Sequence, residues 1–237
     1  MTDAPTPELL RSLARLLRGL SALFWGLPLM LVVFVQTART DWLEPDSVSA
    51  DFIKWAAMLP SLLVTGFVFY GLGQMHHFQK QERVWIRSLD RAQLLVFITF
   101  GLAPFLYWWH KRPGNPFYGA AVTVLTYAAI LFLFNLNHVL QRLVAMLPDE
   151  TLRVETKLFT TLNQTLLASV LVLITLYLIL PRMKMLPTPV IALLGAIEPF
   201  GEWLILFLIL MPLAMTMALI WKTKEVIFNS VFEAGGK

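Results

Sequence analysis

Uncharged apolar runs of about twenty residues recur along the chain, separated by short stretches rich in arginine, lysine, proline and tryptophan. Six runs contain no Asp, Glu, Lys, Arg or His: 19–38, 55–73, 92–109, 117–137, 162–180 and 203–221. A bilayer core of about 30 Å needs about 20 helical residues to cross it, so each run reads as a membrane span. A seventh apolar piece, Val190–Ile197, is too short to cross and reads as interfacial or re-entrant. The expected fold is all-α, a single polytopic transmembrane domain over residues 1–237 with six spans and helical extensions in the cytoplasm.

The first span is preceded by residues 8–18, where Arg11, Arg15 and Arg18 repeat at helical spacing among leucines. That pattern predicts an amphipathic helix in the headgroup region. A basic stretch before an apolar one also marks signal peptides, but their apolar core is usually about 7–15 residues long. Here the run is longer and has no small-residue cleavage site, so it reads as an uncleaved anchor.

Charge placement gives orientation. One set of loop ends holds Arg11, Arg15, Arg18, Lys80, Arg83, Arg87, Arg91, Arg142, Arg153, Lys157, Lys222, Lys224 and Lys237. The other set holds Arg39, Lys54, Lys111, Arg112, Arg182 and Lys184. Cations stay on the cytoplasmic side during insertion, which predicts that both termini are cytoplasmic. Short loops of this kind suit a bacterial inner membrane. Tryptophan follows the same boundaries: Trp55, Trp108, Trp109, Trp203 and Trp221 fall at span ends, Trp42 and Trp85 just outside, and Trp25 within a span. Its ring is apolar and its N–H needs a polar partner, so it favours the interface.

The two inner loops read as helical. Asp149 and Glu150 follow Pro148 at a helix start, where negative charge is favourable. An unbroken helix from Asp149 to Leu180 would be about 48 Å long and would project beyond the bilayer. Below the third span, Gln79–Arg91 reads as a similar extension with Val84, Trp85 and Leu89 facing inward. Prolines at 28, 60, 104 and 212 fall in spans one, two, three and six, and each removes a backbone donor.

Composition narrows the chemistry. Hydrophobic residues make up 57% and charged residues 14% of the 237, with no cysteine and a net charge of +4. Thiolate chemistry, disulfides and cysteine metal sites are thereby excluded. No span carries an Asp, Glu, Lys, Arg or His. Ion-coupled transporters hold their coupled charge on such residues at depth, so this argues against that class.

Candidate ligand-binding residues gather near the inner ends of spans four and five. Asn135, His138 and Arg142 share a helix face, and Asn163 and Gln164 lie at similar depth among threonines. They could bind a headgroup or small ligand; hydrogen bonding between packed helices is the plainer reading. The outer carboxylates Glu198 and Glu202 are four apart and could bind a cation or serve as an acid–base pair, or simply sit at a helix start. His76, His77 and His138 lack the spacing of a metal or haem site. The reading assigns no catalytic residues, no metal and no cofactor. It expects anionic membrane lipid on the cytoplasmic face, a protein partner or a homo-oligomer, and no nucleic acid. The expected role is a scaffold, assembly or regulatory subunit acting through its cytoplasmic hairpins. The alternatives are a permease, channel or lipid-handling protein for neutral or lipid-like molecules, and an interfacial enzyme.

Overall fold

The computed structural model describes residues 7–39, 50–79, 81–147, 150–180 and 207–229. Of these, 92% are helical, none is in a strand, and six helical segments are long and apolar enough to cross a membrane. The helices are α1 (Pro7–Arg39), α2 (Ala50–Met75), α3 (Arg83–Leu102), α4 (Pro104–Lys111), α5 (Pro116–Ala145), α6 (Glu150–Ile179) and α7 (Phe207–Asn229). The chain is therefore a multi-pass membrane protein in which α3 and α4 together make the third crossing. Val190–Ile197, Glu198, Glu202, Trp42 and Trp203 lie outside the described residues.

Sequential crossings run up and down. At one end the N-terminus of α1, the α2–α3 turn, the α5–α6 turn and the C-terminus of α7 come together in one core. This is the basic end, where Arg11, Arg15, Arg83, Arg87, Arg91, Arg142 and Arg153 are exposed. At the opposite end, His110 Nδ1 on α4 lies 3.1 Å from the Ala38 carbonyl of α1, and Met58 packs on Tyr107. Both ends of the described chain thus lie at the basic end.

Residues 8–18 continue the helix of the first span. α1 is one helix of 33 residues, with Leu16 and Leu20 both fully buried. Leu13 and Leu17 are half-buried beside Leu16, while Arg11, Arg15 and Arg18 are exposed. Close packing against α2 depends on small residues. A Cβ on Gly19 would lie 2.6 Å from the Gly71 carbonyl oxygen, and one on Gly26 would lie 2.9 Å from Val68 Cγ2. Helices in lipid gain little from hydrophobic transfer, so backbones brought close by small residues supply the contact.

Pro104 divides the third crossing. It has no N–H for the Phe100 carbonyl, and the chain tightens there through Ala103 N–H to Thr99 O (2.8 Å) and Leu106 N–H to Ala103 O (3.2 Å). α1, α2 and α7 continue through Pro28, Pro60 and Pro212 without such a division. At the turn into α5, Asn115 accepts from the Phe117 N–H and Pro116 takes the first helical position, where a missing donor costs nothing.

The core is richest toward the basic end. Trp85, Leu89, Met75, Leu143 and Leu152 are among the largest fully buried side chains. Trp85 faces inward, as its spacing predicts. Its indole Nε1–H donates to the Phe78 carbonyl at 3.1 Å and its ring meets Phe78 edge-on, which ties the α2–α3 turn to the bundle. Leu89 faces inward as its spacing predicts, whereas Val84 is exposed. α5 and α6 have 30 residues each, about 45 Å at 1.5 Å per residue. They exceed the bilayer core by about 15 Å.

Candidate functional site

Helical spacing sets which polar groups on α5 can meet which neighbours. Asn135 and Asn137 are two residues apart, so they leave the helix on different sides. Asn135 Nδ2 donates across to the Ser88 carbonyl of α3 at 3.0 Å. His138 is half-buried near it, within reach of the charges of Arg91 and Arg142, and Arg142 itself is exposed. Asn137 turns the other way, toward α6 and α7, and is 1% exposed.

There it meets Asn163 and Thr216. Asn163 Nδ2 lies 3.0 Å from Asn137 Oδ1, 2.9 Å from Thr216 Oγ1 and 3.2 Å from the Pro212 carbonyl. Three oxygens around one atom identify it as the amide nitrogen. Asn137 Nδ2 in turn donates to Thr216 Oγ1 (3.1 Å) and to its own Leu133 carbonyl (2.8 Å). The Thr216 hydroxyl donates to the Pro212 carbonyl at 2.8 Å, so it accepts from both amides. Three helices are joined at one buried point.

The polar face of α6 continues from Asn163 toward the basic end. Thr160 and Thr156 precede it by three and seven residues, and both are 1% exposed. Among the described residues, Thr156 Oγ1, Thr160 Oγ1 and Asn163 Oδ1 are buried without hydrogen-bond partners, whereas Thr161, Thr165 and Thr175 bond back to their own helix. Thr156 lines a cavity of about 70 Å³ between α6 and α7, with the ion pair between Lys222 Nζ and Glu155 Oε2 at its edge. Gln164 sits on the adjacent face, half-buried. Farther along the hairpin, Tyr127 OH and Thr175 Oγ1 are 2.6 Å apart, a second link between α5 and α6.

The residues singled out by sequence therefore divide. Asn163 belongs to the buried junction; Asn135, His138 and Arg142 lie on the α3 side of α5. Thr160 was one of the threonines noted beside Asn163, whereas Thr216 and Thr156 were not among them. A signal for Thr216 existed: it stands four residues after Pro212, the position from which a hydroxyl can reach the proline carbonyl.

Chemically the junction holds neutral donors and acceptors. Among the described residues, the buried polar side chains are Ser, Thr and Asn throughout, and no three His, Asp or Glu side chains converge. His76 and Asp90 approach to 3.1 Å across the α2–α3 turn, and His77 is exposed. A different kind of space lies between α1, α5 and α7. It is a cavity of about 100 Å³ walled by hydrocarbon, with Leu27, Met30 and Phe34 on one side, Phe132 behind, and Ile209 and Leu213 opposite.

Comparison with protein-family models, with curated proteins and with solved structures finds no match to this chain.

Proposed function

We propose that the protein is a non-enzymatic subunit of the bacterial inner membrane that scaffolds, assembles or regulates a partner protein through the helical head at its basic end. In this reading the head is cytoplasmic, in accord with the excess of lysine and arginine there. The observation that carries the proposal is the exposed apolar face of α6 near its start. Val154 is 68% exposed and Leu158 62%, on successive turns near the start of α6, a part that would outrun the bilayer in the topology proposed. Glu150, Arg153, Glu155 and Lys157 surround them, so this stretch is chemically a water-facing helix with an uncovered apolar stripe. The opposite face of the same turns, with Leu152 and Thr156, is already buried in the bundle.

The buried polar groups agree with this role. Asn137, Asn163 and Thr216 fix three helices together without a charge that could be taken up and released. Transport of neutral or lipid-like molecules is the competing reading, and the hydrocarbon cavity between α1, α5 and α7 favours it.

A photo-crosslinking residue placed at 154 or 158 in living cells tests the proposal. The expected result is a protein adduct of one defined mass, and loss of the co-purified partner when Val154→Glu and Leu158→Glu are combined. A clean monomer or homo-oligomer in mild detergent, with no adduct at either position, would count decisively against it. Movement of lipid or neutral solute across reconstituted vesicles would favour the competing reading.

A further inference from the structure

Lys224 of α7 is held over two rings. Its Nζ lies 5.6 Å from the Trp221 centroid and 5.9 Å from that of Phe24 on α1, within the range of a cation–π contact. The two rings are 5.7 Å apart and bridge the helices. Among the described residues no carboxylate pairs with this ammonium; the nearby Lys222 is the one that takes Glu155. From this platform the facing sides of α1 and α7 lead away from the basic end. Met217 and Leu213 follow on one side and Leu27 and Leu31 on the other, into the hydrocarbon cavity. Leu213 lies eleven residues from Lys224, about 16 Å along the axis. That is about the depth of one leaflet of the bilayer core.

We propose that this α1–α7 groove binds one anionic phospholipid, with its phosphate at Lys224 and an acyl chain in the cavity. The cavity walls carry no polar group that would select a polar occupant. Its size approaches that of apolar cavities that stay dry and admit small hydrocarbons. Partly exposed Leu31, Phe34 and Ile209 place its edge on the side of the bundle, where lipid is the surrounding medium. The headgroup is anionic because no described carboxylate neutralises the fixed ammonium, and a zwitterionic headgroup would bring a second cation beside it. The site is independent of whether a partner docks on α6.

The test uses the purified full chain in mild detergent and native mass spectrometry. The probes are phosphatidylglycerol, phosphatidylcholine and diacylglycerol of identical chains, and free glycerol phosphate. Phosphatidylglycerol is expected to be retained over phosphatidylcholine roughly fivefold, with free glycerol phosphate not retained. Lys224→Gln should remove the preference, and Ala129→Leu, at a position of α5 that lines the cavity, should fill it and weaken retention of both lipids. A diazirine at the acyl end of phosphatidylglycerol should label peptides containing Phe34, Phe132 or Leu213. Equal retention of the three lipids, binding of glycerol phosphate alone, a preference that survives Lys224→Gln, or labelling elsewhere would overturn the proposal. Lys224 is at the helix end and only half-buried, so its variant decides the matter even if Ala129→Leu perturbs folding.

Discussion

Asn163 of α6 donates to Asn137 of α5 at 3.0 Å, with both side chains 1% exposed, and the same amide nitrogen reaches Thr216 of α7. Both side chains are shut off from bulk solvent, so removing one amide leaves the other's oxygen or hydrogens unmet. Asn163→Leu should destabilise the bundle by about 1–2 kcal/mol, and Thr216→Val by less. Denaturant titration in mixed micelles measures this. A double cycle of Asn137→Ala and Asn163→Ala should show coupling of at least about 0.5 kcal/mol. Strict additivity would show that the link contributes nothing.

The glycines of α1 and α3 should differ sharply in tolerance. Gly19→Ala drives a Cβ to 2.6 Å from the Gly71 carbonyl oxygen, where backbone cannot yield without separating α1 from α2. It should cost about 1–3 kcal/mol, as overpacking does. Gly101→Ala meets nothing within 4 Å and should be neutral or stabilising by up to about 1 kcal/mol, because alanine favours helix. Thermal unfolding of the two variants in one detergent is the comparison, and equal effects would contradict the α1–α2 contact.

Trp85→Phe should cost about 1–2 kcal/mol, since the Phe78 carbonyl loses its indole donor and the ring shrinks. Trp85→Ala should cost about 3–5 kcal/mol. If the indole were instead a surface anchor, both changes would leave the melting temperature nearly unchanged.

The ion pair of Glu155 and Lys222 joins α6 to α7, yet both side chains are about half exposed, at 46% and 49%. Pairs in that setting contribute about 0–1 kcal/mol and are screened by salt. Lys222→Gln should therefore lower stability only slightly, and the difference should fade in high salt.

The six crossings were legible because lipid imposes a condition that each run satisfies alone: enough length and no charge. The extent of α6 was legible for the same reason, from an apolar pattern continuing past Glu150. Side-chain partnerships were not. Helical periodicity places Asn135 and Asn137 on different sides of α5, but nothing in the spacing says which side meets α3 and which meets α7. Thr216 stands in an apolar run with no polar neighbour, so its partner Asn163, on another helix, is invisible until the helices are packed. Residues 8–18 show a third case. α1 runs unbroken through them, with Leu16 fully buried, Leu13 and Leu17 half-buried, and Arg11, Arg15 and Arg18 exposed, and the alternation alone does not say which neighbour covers Leu16.

The arrangement of six crossings with a cytoplasmic basic end is tested most directly by single-cysteine labelling, because the chain has no cysteine of its own. Arg11→Cys, Gly114→Cys and Asn229→Cys each place one thiol at an exposed position. With a membrane-impermeant maleimide, Gly114→Cys should label in intact cells, and Arg11→Cys and Asn229→Cys only after the membrane is opened. Labelling of position 11 and position 229 from opposite sides, or of all three from outside, would contradict it.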